Sequence, residues 1–365
     1  MQAEPTSAPE APPLLEVRGL LKHFPVKGGL LQRRVAAVQA VDGVSFEVRR
    51  GETLGIVGES GCGKSTTARL LIRLIEPDAG EVRIGGEPVG GPRGLSLKAL
   101  RRQLQMVFQD SYASLNPRLP ILDTVAYGPT VHGASRAAAR AKAAELLRKV
   151  GLDPETYARR YPHELSGGQR QRVNIARALA LEPRILILDE AVSALDKSVQ
   201  AQVLNLLLDL RRELSLTYLF ISHDLEVVQF VSDRVLVMYL GKVVELGSVD
   251  AIYRRPQHPY TRALLSAMPE MDVDRRKAEA PLSGDPPTPI DPPSGCRFHP
   301  RCPFAEAVCR RVEPLLTRLP DGADHASACH MAIPGSGHSA APGIAVGGDA
   351  AIPIPAELPK ESIRP

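Results

Sequence analysis

The chain has 365 residues, 44% of them hydrophobic, and a formal net charge of +4, which suits one large globular domain with an appendix. So small a net charge names no nucleic-acid partner, and no stretch reaches the roughly 18 consecutive apolar residues that span a bilayer. Residues 1–13 carry no leader-like pattern, and five cysteines, with Cys62 isolated and the rest crowded between Cys296 and Cys329, suit a reduced compartment, so a cytoplasmic chain is expected.

Residues 1–12 read as a flexible start. Residues 14–17 and 44–48 then carry apolar spacings that fit strands, and the basic, glycine-bearing segment 26–34 between them reads as a long hairpin-like connection. Residues 53–57 form a buried-type strand, followed by glycines and a helix over 65–75. From about 95 to 165 the pattern turns helical, with Ser135 as N-cap and Gly151 as stop, and a helical insert over about 95–180 is expected. Short apolar runs at 185–188 and 218–221, separated by the amphipathic stretch 199–213, read as βαβ and hence a parallel sheet in an α/β fold. The ATPase-like unit would run over 13–268, and a proline-rich linker over 269–295 (Pro281, Pro286, Pro287, Pro289, Pro292, Pro293) leads to a small cysteine-bearing module over 296–330. Residues 331–365 are Ala, Gly and Pro with little to bury and are expected to lack structure.

The run Gly58-Glu59-Ser60-Gly61-Cys62-Gly63-Lys64-Ser65-Thr66 matches G-x-x-x-x-G-K-[ST] between a strand and a helix. Glycines there let backbone N–H groups curl around phosphate oxygens, Lys64 supplies a point charge for the β and γ phosphates, and the Ser65 hydroxyl can ligate Mg²⁺. Cys62 fills a variable slot and receives no chemistry. The apolar strand at 185–188 ends in Asp189 and Glu190, which a parallel sheet delivers to the same edge as the phosphates. Asp189 would hold Mg²⁺, and Glu190 would orient and deprotonate the attacking water. His223, just after the strand at 218–221, would in isolation be structural; in this array it can touch the γ-phosphate and hold water and Glu190 in line.

Leu165-Ser166-Gly167-Gly168-Gln169 precedes a helix over 170–181 and offers a hydroxyl, bare N–H groups and a helix dipole to an anion. With this signature the chain resembles ABC transporter ATPases, P-loop NTPases with a RecA-like core, a β-subdomain and a helical insert. The resemblance implies that Ser166, Gly168 and Gln169 complete the ATP site of a second ATPase subunit, with Asp196 in Ser193-Ala194-Leu195-Asp196 at the dimer seam. It also implies that Gln109 links Mg²⁺ and water to the helical insert, and that Phe24 stacks on adenine, a position where an ordinary apolar residue would read the same. This family usually places proline after the catalytic glutamate, and here Ala191 follows Glu190, which loosens the backbone without removing a reacting group.

More narrowly, Lys22-His23-Phe24-Pro25, the run from Gln109 to Arg118, and Gln257-His258-Pro259-Tyr260-Thr261 followed by cysteines look like the dipeptide/oligopeptide importer ATPases, most similar to the F-type subunit. That resemblance implies import of peptides across an inner membrane, a peripheral place on its cytoplasmic face, a heterodimer with a second ATPase, two permease subunits and an extracytoplasmic peptide-binding protein. Glutathione or a nickel complex are alternative cargoes, and a soluble non-transport ATPase is a further alternative. The latter is opposed by an interval from Lys64 to Ser166 too short for a coiled coil, and by the single set of motifs.

Cys296, Cys302, Cys309 and Cys329 lack a C-x-x-C knuckle, and four thiolates suit zinc or an iron–sulfur cluster, or stay unliganded. The family resemblance implies a [4Fe–4S] cluster there, serving as a staple for a module too small to hold itself together. His299, His325 and His330 are expected to be ordinary surface residues.

Overall fold

The computed structural model describes residues 12–28, 33–268, 287–320 and 324–342. The chain opens with β1 (Leu15–Gly28), β2 (Arg33–Val48) and β3 (Thr53–Val57), then α1 (Lys64–Leu71), β4 (Ala79–Ile84), β5 (Glu87–Pro88), α2 (Leu97–Gln103) and β6 (Leu104–Val107). A helical stretch follows, comprising α3 (Ile121–Val131), α4 (Arg136–Lys149), α5 (Pro154–Tyr157) and α6 (Gly167–Leu179). Next come β7 (Ile185–Asp189), α7 (Lys197–Leu214), β8 (Thr217–Ile221), α8 (Leu225–Val231), β9 (Arg234–Tyr239), β10 (Lys242–Ser248), α9 (Val249–Arg254) and α10 (Pro259–Ser266). The last elements are α11 (Ala307–Arg311), β11 (Thr317–Arg318) and β12 (His325–Ser327).

β1 and β2 form a long antiparallel hairpin with several register shifts, and β1 also pairs with β4, giving a sheet of order β2-β1-β4-β5. The main sheet runs β11-β12-β10-β9-β3-β8-β7-β6. β3, β7 and β8 are buried at every position, as expected of parallel strands covered on both faces, and their Ile, Leu and Val content follows from that. One of the covering helices is α7, whose Val203, Leu204, Leu207 and Leu210 lie at helical spacing and are all buried. Ser135 caps α4 by accepting a hydrogen bond from the Ala138 N–H, and Gly151 just past its end takes φ +75°.

β6, β7, β8 and β3 are mutually parallel neighbours, and β3 is also parallel to β9. Their carboxyl ends therefore share one edge, where the segments carrying Gln109, Glu190, His223 and the 58–64 loop all emerge.

Three expectations change. The stretch 95–180 is not a continuous helical insert, because β6 within it pairs with β7 from Leu104↔Ile185 to Val107↔Leu188 and belongs to the core sheet. The cysteine-bearing segment is not a self-contained module: β12 extends the main sheet beside β10, and Phe298 joins the core cluster of the parallel sheet. Residues 331–342 form turns, with His338 buried and its Nε2 donating to the Phe304 carbonyl at 2.9 Å. The flexible start over 1–11, most of the proline-rich linker (269–286) and the tail over 343–365 lie outside the described residues.

Candidate active site

The loop after β3 is built around a buried lysine. Lys64 is 6% exposed, and its ammonium donates to the carbonyls of Gly58 (2.6 Å) and Glu59 (2.9 Å), so its charge is held inside the curl of the loop. Two glycines are compulsory. Gly58 (φ +147°) and Gly63 (φ +108°) have left-handed backbones, and a Cβ would lie 2.2 Å from the Met238 carbonyl oxygen at Gly58 and 2.3 Å from that of Ala40 at Gly63. Ser60 and Gly61 are exposed at the tip, and Thr66 is half-buried at the head of α1. Cys62 is buried, with Sγ 3.7 Å from the Lys64 ammonium, and burial raises its thiol pKa against the pull of that charge.

Ser65 and Asp189 are brought together across the edge, the Ser65 hydroxyl donating to Asp189 Oδ1 at 2.9 Å. Asp189 is 2% exposed, and burial raises its pKa, opposed by the Ser65 hydrogen bond and by Arg69 and Lys64, and reinforced by the Glu190 charge. A hydroxyl and a carboxylate oxygen held together in this way are the donor type that a hard divalent cation such as Mg²⁺ takes.

Glu190 lies at the centre of the third group. Gln109 Nε2 donates to Glu190 Oε2 at 2.7 Å, and His223 Nδ1 lies 3.4 Å from Glu190 Oε1. The Glu190 backbone takes φ +48°, held by its own N–H to the Ile221 carbonyl (2.9 Å) and by the Ser193 hydroxyl to its carbonyl (3.0 Å). Ala191 is 4% exposed against the core. The restraint that a proline at that position would have supplied comes instead from these hydrogen bonds and from packing. His223 is largely exposed, with 61% of its side chain open.

The signature residues gather elsewhere. Ser166 is the N-cap of α6, its hydroxyl accepting from the Gln169 N–H (3.3 Å) while Gln169 Oε1 accepts from the Ser166 N–H (3.0 Å). A Cβ on Gly167 would stand 3.6 Å from Leu195, and one on Gly168 only 2.4 Å from Val199, so the signature packs on the entrance of α7 where exposed Asp196 lies. Phe24 is half-buried on the hairpin, with the Lys22 ammonium 5.6 Å from its ring. It faces Val38, two positions from the Ala40 carbonyl that abuts Gly63.

Away from the edge, Cys296, Cys302, Cys309 and Cys329 line one small cavity with Phe298 and His258. All are free thiols. Burial and the neighbouring thiols push Cys296 up to about 12 and Cys329 up to about 11. Among the described residues no group of three or more His, Cys, Asp or Glu side chains is drawn together closely enough to hold a metal ion. The thiols therefore converge without forming a ligand shell, and neither the iron–sulfur nor the zinc expectation is supported by their arrangement. The histidines expected on the surface are mostly inside: His325 is fully buried with Nε2 donating to Glu245 at 2.7 Å, and His330 is 5% exposed with Nε2 donating to the Val312 carbonyl. His299 is half-buried over the Cys296 carbonyl.

Sequence reasoning missed Tyr260 and Arg301 as parts of the phosphate-loop environment. The Tyr260 hydroxyl accepts from the Glu59 N–H at 2.8 Å, and Arg301 grips the Glu59 carboxylate with both ends at 2.9 and 3.1 Å.

Residues 41–193 match the family model described as ABC transporter, and residues 244–309 match the one described as oligopeptide/dipeptide transporter, C-terminal region. The chain is 54% identical over 322 residues to a probable peptide ABC transporter ATP-binding protein, y4tS, of Sinorhizobium fredii, covering 88% of this chain and 90% of that protein. It is 50% identical to the oligopeptide transport ATP-binding protein AppF of Bacillus subtilis over 87% of this chain and 97% of the relative. Identity to the di/tripeptide transport ATP-binding protein DppF of Pseudomonas aeruginosa is also 50%, over 87% and 98%. Among solved structures, cbiO1 from Clostridium perfringens, part of the ABC transporter complex cbiONQ, is similar with a TM-score of 0.57 and 27% identity, covering 67% of this chain and 91% of that one. With the phosphate loop, the acidic strand end and the signature in place, the chain belongs to the ABC transporter ATP-binding proteins, in their oligopeptide/dipeptide branch.

Proposed function

We propose that the chain binds and hydrolyses ATP to energise peptide import through an ABC transporter. The observation that carries the reading is Glu190 held between Gln109 and His223 at the sheet edge that also presents Lys64 and the Ser65–Asp189 pair. Lys64 binds the β and γ phosphates, and the loop N–H groups exposed by Gly58, Gly61 and Gly63 wrap them. Ser65, Asp189 and Gln109 would hold Mg²⁺, which when bound neutralises phosphate charge. Gln109 and His223 orient Glu190, and Glu190 accepts the proton of the attacking water as the γ-phosphoryl leaves, while Phe24 supports the base.

The signature packs on Leu195 and Val199 at the entrance of α7, and use in trans is what the family resemblance implies for it. Ser166, Gly168, Gln169 and Asp196 would close on the nucleotide of a second ATPase subunit, in a head-to-tail dimer that ATP closes and hydrolysis reopens. Two membrane permeases and an extracytoplasmic peptide-binding protein complete the assembly on the cytoplasmic face of the inner membrane. Three peptide-transport relatives and the match over 244–309 support the peptide class. The four-thiol cavity is where a [4Fe–4S] cluster, or zinc, would be held: four sulfur donors suit either, and binding would have to close them to ligand distance.

The test is co-purification. The tagged chain should bring down a second ATPase and two membrane proteins, and ATPase activity in vesicles should rise with added peptide and binding protein. Recovery of the chain alone, with no peptide response, would sink the transport assignment. Anaerobic protein that is brown and holds iron and sulfide in similar amounts supports the cluster, and colourless, iron-free protein removes it.

A further inference from the structure

The five residues between Cys296 and Cys302 form a strap beside the phosphate loop. Arg297 is 8% exposed; it binds the Leu240 carbonyl, Gln39 and Asp42, tying the strap to the hairpin and to the turn between β9 and β10. Phe298 is buried against Tyr239 and Tyr260, with ring centroids 5.3 and 5.5 Å away. Residues His299–Arg301 make one 3₁₀ turn, fixed at one end by the His299 N–H to the Cys296 carbonyl (2.9 Å) and at the other by the Cys302 N–H to the His299 carbonyl (3.4 Å). From that turn Arg301 reaches Glu59, with its guanidinium 5.9 Å from the Tyr239 ring centre.

Glu59 is the second residue of the phosphate loop, and its carboxylate and its N–H are both taken by this region. Its carboxylate is clamped by Arg301, and its N–H donates to Tyr260, which follows His258 and Pro259 at the head of α10. His258 in turn lines the thiol cavity and sets its ring 5.7 Å from that of Phe298, tilted by 56°. Two routes therefore run from the cavity wall to one loop residue: Cys296 and Cys302 through the 3₁₀ turn to Arg301, and His258 to Tyr260.

We propose that Arg301 and Tyr260 are positioning residues of the phosphate loop, and that through them the four-thiol cavity sets the loop's affinity for nucleoside triphosphate. The proposal rests on the ATP reading above. A planar guanidinium locked on a carboxylate by two hydrogen bonds fixes direction as well as distance, which a lysine would not. With Glu59 fixed, the Gly58 and Glu59 carbonyls that hold Lys64 are fixed too. A change that moves Cys296 against Cys302, such as metal capture or alkylation by a maleimide, would rotate the turn and move Glu59. Linkage requires the converse: nucleotide in the loop must quiet the strap.

The test uses the full-length reduced chain. Arg301→Ala should raise Kd for a fluorescent ATP analogue and KM for ATP about tenfold, within the usual 5–150-fold span of coupled sites, with kcat at saturating ATP within about twofold of wild type. Tyr260→Phe should do the same more weakly, and Arg301→Lys, which keeps charge and stem, should fall between wild type and Arg301→Ala. Adding Arg301→Ala to Glu59→Gln should worsen Kd by less than about twofold, because the two act as one contact. The wild-type chain supplies a readout that needs no variant: Mg-ADP should slow maleimide labelling of Cys296 and Cys302, scored peptide by peptide by mass spectrometry so that Cys62 is counted apart, at least about threefold. Unchanged affinity in Arg301→Ala, a loss confined to kcat, multiplicative effects in the double variant, or labelling indifferent to nucleotide would each overturn the inference. A wild-type chain that binds no ATP overturns the ATP reading itself.

Discussion

Replacing Glu190 by Gln isolates the chemical step from the rest of the site. The amide oxygen can still accept from Gln109 Nε2, now at 2.7 Å from Oε2, and the amide nitrogen can face His223 Nδ1, now 3.4 Å from Oε1. The backbone strain at φ +48° is common to Glu and Gln, and neither main-chain hydrogen bond involves the side chain. Fold stability and ATP affinity should therefore stay within about twofold, since Lys64 and the loop are untouched. What is lost is the proton acceptor, a contribution of about 10²–10⁴ in rate, or about 3–5 kcal/mol in the barrier. The assay pairs phosphate release under saturating ATP with equilibrium binding of ATP to the same protein. Turnover within threefold of wild type would remove Glu190 from the role of base, and loss of ATP binding would show that the carboxylate serves the loop rather than the water.

Other outcomes follow from the same geometry. Gly63→Ala places a Cβ 2.3 Å from the Ala40 carbonyl at a left-handed φ, and should abolish ATP binding in a filter or fluorescence assay while lowering the melting temperature. His258 is fully buried with Nδ1 accepting from the Tyr260 N–H, and burial lowers its pKa to about 4. Its neutral form is thus the folded form, so stability is complete above about pH 6.5, the unfolded histidine value, and falls by about 3 kcal/mol as pH drops toward 4. Urea titrations at pH 7 and pH 4.5 should show that slope, and His258→Gln, whose amide oxygen can still accept from the Tyr260 N–H, should flatten it. His325→Ala leaves the Glu245 carboxylate buried with only the Gln257 and His258 N–H donors, and should cost about 1–3 kcal/mol for the lost hydrogen bond, read as a lower urea midpoint.

The reactive groups could be read from sequence because they are local. Asp189 and Glu190 adjoin each other at a strand end, and the glycines of the phosphate loop lie within nine residues of one another. β6 escaped because Leu104-Gln105-Met106-Val107 follows a helix directly and becomes a strand only by pairing with residues 185–188. The last strand, His-Ala-Ser at 325–327, has no strand pattern at all and exists because β10 offers it an edge. The contacts of Glu59 with Tyr260 and Arg301 span 201 and 242 residues, and nothing within a sequence window could join them. The cysteine spacing left zinc, a cluster and unliganded thiols all open, because whether the thiols meet depends on how the segment that carries them folds onto the core.

The pairing of β12 with β10 also imposes an order on synthesis. Glu245 meets its buried partner His325 only after 80 more residues have been made, which at about 5–20 residues per second takes about 4–16 s. For that interval a nascent chain already holding every ATP-binding motif presents β10 as an open edge, the kind of surface that recruits stray strands. A chain that ends before residue 325 keeps Glu245–Gly247 of β10 without their β12 partner, and should aggregate more readily than one that carries the strand.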